Sequence, residues 1–143
     1  MTKHTHVGVY AIAKAENKIL LIKKARGPYT GQWDLPGGKF EFGETPVETL
    51  NREVMEETGL TISSSKLLDV LSNTVTYTNL SGEEETLHHI GIVYLIKVQD
   101  NDSKLKIDAD GEDSLGAKWL TISDIKKDSL SPFAKQSLKV HKD

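Results

Sequence analysis

Gly38 to Leu60 reads GKFEFGETPVETLNREVMEETGL, and this stretch carries its own start and stop signals for a helix. Thr45 offers an N-cap hydroxyl, Pro46 suits the first helical position, and Glu48, three residues after the cap, completes a capping box, so a helix is expected from Pro46. Gly59 suits the left-handed position just past a helix end, and Leu60 supplies the apolar contact that goes with such a cap. At about 100° of rotation per residue, Val47, Leu50 and Val54 form one apolar stripe, while Glu53, Glu56 and Glu57 form an arc centred about 100° from it. Like charges three and four apart cost an isolated helix about 0.2–0.5 kcal/mol per pair, and no lysine lies among these glutamates. Something cationic should compensate. Arg52, four residues before Glu56 and four after Glu48, is near enough to pair with one carboxylate, yet leaves the cluster negative.

The direction of the arc matters. An ordinary surface helix puts its charges opposite the stripe, whereas these carboxylates fall along the edge of the protein contact, where a pocket can close over them. Hard oxygen donors grouped in this way suit Mg²⁺ or Mn²⁺, which take carboxylates, water and substrate phosphates rather than a full protein cage. Three glutamates alone could equally be a solvated helix face. The spacing around them narrows the choice: Gly38, five residues, Glu44, seven residues, then Arg52-Glu53-Val54-Met55-Glu56-Glu57-Thr58-Gly59-Leu60.

That segment resembles, at all nine specified positions, the signature box of the Nudix (MutT-like) hydrolases, and Trp33-Asp34-Leu35-Pro36-Gly37 resembles the usual approach to it. The resemblance implies an α/β fold, an α/β/α sandwich with a mixed β-sheet, spanning residues 1–143 as a single domain. It also implies hydrolysis of a diphosphate bond in a nucleoside diphosphate linked to another moiety, by water attacking phosphorus with one to three divalent metals. Carried onto matching positions, Glu53, Glu56 and Glu57 would hold Mg²⁺ (or Mn²⁺). One of these glutamates, or an acidic residue of a later loop, would take the proton from water. Arg52 would orient a glutamate, Glu44 would support the metal shell, and the Gly37-Gly38 backbone would shape the loop beside the helix. A homodimer is an assembly the resemblance allows. A related domain that senses a nucleotide without cutting it, and an interaction protein whose acidic helix meets a basic partner, are the competing readings.

The remaining residues set the frame. A chain of 143 residues is long enough for one domain to bury roughly two-thirds of its unfolded surface. With 18 Lys+Arg against 21 Asp+Glu the net charge is -3, and the basic residues are scattered, which disfavours a duplex nucleic acid or a membrane as partner. There is no cysteine, so disulfide and thiolate chemistry are out, and the polar start MTKHTH lacks a secretory core, which predicts a cytoplasmic protein. Two strands are expected over His6–Lys14 and Lys18–Lys24, with a sharp bend at Gly37-Gly38. A long hairpin is expected from Leu67–Thr78 and Leu87–Val98. Its second strand is apolar on both faces from Ile90 to Ile96 and therefore central. A polar loop, a short strand at 117–120 and a helix from near Ser131-Pro132 complete the order.

Weaker signals lie outside the box. Arg26 and Tyr29 could touch phosphate or base, since an arginine fork suits phosphate and a tyrosine ring can stack, against the simpler reading of surface loop residues. The acidic run from Asp100 to Asp113 has its glycine too early for a calcium loop and reads as a solvated loop. The resemblance implies an extra acidic ligand or base shortly before a tryptophan-containing strand, where Glu112 or Asp113, just ahead of Trp119, could serve; of the two, Glu112 is taken as the expected further metal ligand. His88 and His89 would face opposite sides of a strand and cannot share one metal, so each reads as a satisfied strand histidine. Trp33 and Trp119 read as core anchors, and Tyr77, 17 residues beyond Leu60, lies in a region where the resemblance implies a tyrosine that marks some dinucleoside polyphosphate hydrolases of the family.

Overall fold

Two antiparallel strands, β1 (Thr2–Ala15) and β2 (Lys18–Lys24), open the chain in the computed structural model, which describes residues 2–99, 104–108 and 114–140. The tight turn between them holds Glu16 at φ 56. Short strands β3 (Trp33–Asp34) and β4 (Gly37–Lys39) follow, then helix α1 (Pro46–Thr58). The long hairpin is β5 (Ile62–Thr78) and β6 (Glu84–Val98); β7 (Ser114–Thr121), two 3-10 turns and α2 (Pro132–Val140) complete the order.

β1 and β6 run parallel over twelve residue pairs, from Thr2↔Glu85 to Ala13↔Ile96, while the other strand pairs are antiparallel, so the sheet is mixed. β6 sits between β1 and β5, the central position expected from its two apolar faces. Alternation then builds two cores. Val9, Ala11 and Ala13 of β1 pack with Leu50, Val54 and Leu60 of the α1 region on one face. Tyr10 and Ile12 pack with Phe133 and Ala134 of α2 on the other. Helices therefore cover both faces, as the α/β/α expectation required.

The α1 boundaries fall where the caps place them. Thr45 Oγ1 accepts from the Glu48 N–H at 3.2 Å, Glu48 Oε1 accepts from the Thr45 N–H at 2.9 Å, and Gly59 closes the helix at φ 77.

Three expectations need correction. Gly37-Gly38 is not a bare bend but the start of β4, which pairs with Gly8–Tyr10 of β1. The chain reaches that close because residue 37 has no side chain: a Cβ there would collide with the Val9 carbonyl, and its φ of 148 is strained for any L side chain. β1 and β5 also begin earlier than expected, at Thr2 and Ile62, because strand pairing with β6 carries polar residues that their own alternation does not mark. Trp33 and Trp119 are only partly buried; each packs on the margin of a core, and the Lys23 Nζ lies 5.9 Å from the Trp33 ring centroid.

Candidate active site

The last two turns of α1 lie against β4, and the glutamates there differ in burial and surroundings. Glu57 is 3 % exposed, and its Oε1 accepts the Gly37 N–H at 2.7 Å. Burial raises its carboxyl well above the usual range, with Lys24 and the Gly37 N–H pulling the other way. Glu53 packs onto the neighbouring backbone: a Cβ on Gly38 would lie 2.6 Å from the Glu53 Cδ, so the carboxylate occupies the place a side chain would fill. Glu56 is half exposed and turned outward.

Arg52 joins this cluster to the loop before the helix. Its Nε donates to Glu44 Oε2 at 2.7 Å and its Nη2 to Glu44 Oε1 at 2.9 Å, a two-point fork, while Nη2 also reaches the Lys39 carbonyl at 3.1 Å. Nη1 donates to Glu53 Oε1 at 2.8 Å and, at 3.4 Å, to Glu56 Oε2. Hydrogen bonding from Arg52 holds the Glu44 carboxyl down at about 2, so Glu44 stays ionised.

Beside Glu53 and the two glycines opens a cleft of about 360 Å³, into which Lys24, Arg26 and Lys39 bring positive charge and His6, Tyr10 and His89 bring rings. These rings form a hydrogen-bonded chain. Tyr29 Oη donates to Asn73 Oδ1 at 3.4 Å and lies 2.9 Å from His89 Nδ1. His89 Nε2 is 2.7 Å from Tyr10 Oη, which is 3.2 Å from His6 Nε2. Burial, then His6 and Lys24, lower the His89 imidazole to about 3, so it is neutral in ordinary conditions. Asp34 lies behind the cleft, fully buried, its Oδ1 accepting from Ser131 Oγ at 2.7 Å and from the Leu35 N–H at 2.9 Å; burial raises its carboxyl all the same.

A NUDIX domain model matches residues 2–140. The chain belongs to the Nudix family. Among similar proteins, the "ADP-ribose pyrophosphatase" of Methanocaldococcus jannaschii is 35% identical over 87% of this chain and 66% of its own length. The "8-oxo-dGDP phosphatase NUDT18" of Homo sapiens is 36% identical over 73% of this chain but only 28% of its own. This Nudix chain thus spans just under two thirds of the first relative and little more than a quarter of the second. The crystal structure of the MutT NUDIX hydrolase from Burkholderia pseudomallei superposes with a TM-score of 0.74 at 26% identity, covering 95% of this chain and 97% of that one.

Within this Nudix domain the expected residues are only partly gathered. Gly37, Gly38, Glu53 and Glu57 meet between β4 and α1, and Arg52 links Glu44, Glu53 and Glu56. The three box glutamates do not converge on one point: among the described residues, no three carboxylate or imidazole groups are grouped closely enough to form a ready metal site. Like charges repel, and each carboxylate has taken the nearest donor instead, Glu57 the Gly37 amide and Glu53 and Glu56 the guanidinium. The donor set still suits a hard cation, being all oxygen, and the glycine cradle holds Glu53 and Glu57 beside backbone rather than bulk.

Arg26 and Tyr29 both line the cleft, but Tyr29 is not a surface loop residue, the simpler reading of it. It is 4 % exposed, its ring in the α2-side core and its hydroxyl supporting His89. Glu112 lies outside the described residues, as do most of the acids of its loop. Lys24, His6, Tyr10 and His89 were not singled out for the site. His89 is the satisfied strand histidine its alternation suggested, yet it also walls the cleft, which only the parallel β1–β6 register reveals by setting His6 beside His89.

Proposed function

We propose that this chain is a divalent-cation-dependent Nudix pyrophosphohydrolase that cleaves the diphosphate bond of a nucleoside diphosphate linked to a second group. One observation carries the reading. An intact box places Glu53 and Glu57 against the β4 glycines at the rim of a cleft holding Lys24, Arg26 and Lys39. Carboxylates for a cation and cations for phosphate are thus side by side.

Glu53, Glu56 and Glu57 would hold Mg²⁺ or Mn²⁺, with Glu112 as a candidate further ligand. Such a cation would supply charge to offset developing negative charge on phosphoryl oxygens and would acidify bound water. The protein's own groups do the rest. Lys24, Arg26 and Lys39 draw the diphosphate into the cleft and orient its oxygens. Glu53, the box glutamate that lines the cleft, takes the proton of the attacking water. Arg52, anchored on Glu44 and the Lys39 carbonyl, keeps Glu53 and Glu56 from swinging away. Neutral His89 and the two tyrosines form a fixed wall that needs no rearrangement when a nucleotide enters.

The test is release of products from a panel of ADP-ribose, dinucleoside polyphosphates, 8-oxo-dGDP and canonical and oxidised nucleoside triphosphates, with and without Mg²⁺. Turnover that requires Mg²⁺ supports the reading. Tight binding without turnover would instead favour a nucleotide sensor, a reading that an intact box does not recommend. The partner proposed is a nucleotide, met as a single 1–143 domain or its homodimer in the cytoplasm. Among the described residues, no helix is long and apolar enough to cross a membrane.

A further inference from the structure

His6 of β1 lines the cleft beside Glu53, and the hydrolase reading gives it no task. It is also the last member of the hydrogen-bonded chain that runs Asn73, Tyr29, His89, Tyr10, His6. The protons available fix the polarity of that chain. Burial raises the Tyr10 and Tyr29 hydroxyls, so each keeps its O–H, and neutral His89 carries a single N–H. Asn73 Oδ1 can only accept, and Tyr29 donates to it. His89 Nδ1–H therefore donates to Tyr29, Tyr10 donates to His89 Nε2, and His6 Nε2–H donates to Tyr10. The opposite polarity would leave the Tyr29–Asn73 contact unmade. His6 Nε2 is thus a donor, and its Nδ1 bears a lone pair with no hydrogen-bond partner among the described residues. A proton added at Nδ1 disturbs none of these bonds, because Nε2 already donates.

Several elements set the charge around that nitrogen. Lys24 of β2 and Lys39 of β4 share the cleft with His6, as do His4 on its own strand and Arg26 of the 25–30 loop. Burial, then Lys39, Lys24 and His4, lower the His6 imidazole, so in the free chain it is neutral at pH 7.5. The neutral His89 ring, centred 5.3 Å away, adds no charge. The carboxylates of the cleft, Asp34 and Glu53, are engaged by Ser131 and by Arg52. A diphosphate ester brings a negative charge on each phosphate to the same lysines, and so reverses the sign of the field at His6. Opposite charge within about 4–6 Å favours the charged form of a titratable group.

Building on the hydrolase reading, we infer that His6 is a phosphate-binding residue of this cleft, neutral in the free chain and taking a proton from solvent at Nδ1 as a diphosphate seats on Lys24, Arg26 and Lys39. Imidazolium Nδ1–H then donates to a non-bridging phosphate oxygen, while Nε2–H stays on Tyr10. A charge-assisted bond of this kind is about twice as strong as a neutral one. The proton returns to solvent when the phosphate leaves. Tyr10, His89 and Tyr29 are positioning residues, which hold the ring and its tautomer.

The probe is ADP-ribose at millimolar concentration, with a chelator present so that the probe stays whole. Both of its phosphates are esterified, so neither titrates near neutral pH as a terminal phosphate does, with a second pKa of about 6. Nitrogen-15 spectra of the imidazole rings should show the Nε2–H tautomer of His6 in the free chain at pH 8, and a titration midpoint that rises by about one pH unit when ADP-ribose is added. Calorimetry at pH 7.5 in PIPES and in Tris, buffers of different ionisation enthalpy, should show proton uptake on binding that is lost in His6→Gln, with affinity about tenfold lower. The parent spectra decide the matter if that variant misfolds. An Nδ1–H tautomer, a midpoint that ADP-ribose leaves unmoved, or uptake that persists in folded His6→Gln overturns the inference. Mg²⁺-dependent turnover in spite of such a result leaves the hydrolase reading intact. A raised midpoint in a chain that cleaves no nucleotide sinks the hydrolase reading instead, and supports His6 as the phosphate ligand of a nucleotide sensor.

Discussion

At the scale of single residues, this site is built from groups that folding alone would not choose. Glu57 is a carboxylate in the interior, and burial raises its pKa, so its ionised form is the one that costs stability near neutral pH. Its amide analogue keeps an Oε1 to accept the Gly37 N–H. Glu57→Gln is therefore expected to stabilise the fold in the presence of a chelator, by about 1–2 kcal/mol, while cutting Mg²⁺-dependent turnover at least ~100-fold. Scanning calorimetry and initial rates measure the two effects; a variant that is active, or no more stable, removes the argument. Arg52 gives the converse case. One ammonium cannot span Glu44, Glu53, Glu56 and the Lys39 carbonyl as the fork does, so Arg52→Lys should lower kcat by about 10–100-fold while retaining its positive charge. Circular dichroism identical to the parent would locate that loss in positioning rather than folding.

At the scale of elements, α1 and α2 are held by different means. α1 was legible from end to end, because capping residues act within a few positions of the backbone groups they satisfy. Thr45→Ala should cost about 1 kcal/mol in denaturant unfolding, the worth of one N-cap. α2 depends on a partner distant in sequence. Phe133 is fully buried and seats over Gly91 of β6, where an added Cβ would collide with the ring. Gly91→Ala is expected to destabilise by about 1–3 kcal/mol through overpacking, and Phe133→Ala by about 3–5 kcal/mol through the cavity it leaves. Equal stability of Gly91→Ala and the parent in urea would mean that the ring has room to move. The same distance in sequence hid β4. A Gly-Gly pair reads locally as a bend, and only its pairing with Gly8–Tyr10 makes it a strand and brings its amide to Glu57.

At the scale of the whole molecule, the parallel β1–β6 register, the loop before β3 and α2 together enclose His89, and this has a pH signature. Its folded pKa of about 3 lies below the unfolded value near 6.5. The unfolded chain therefore binds a proton first, so this contribution to stability is complete above pH 6.5 and is lost as pH falls toward 3, by at most about 1.4 kcal/mol per pH unit. Between pH 6.5 and 5, above the range where the lowered Glu44 and Glu85 carboxyls matter, urea unfolding should weaken more steeply for the parent than for His89→Asn. Matching slopes would show that His89 is not held neutral. The sequence by itself determined the helix with its caps, the glutamate arc, the central β6 and the Nudix box, because each is written in spacings of a few residues that local hydrogen bonds and side-chain periodicity obey. Only the tertiary structure decided that Glu57 turns inward and Glu56 outward, that Tyr29 is core, and that Lys24, His6 and His89 share a cleft. Those outcomes depend on which distant strands pair and how deeply each charge is buried, and no spacing along the chain encodes either quantity.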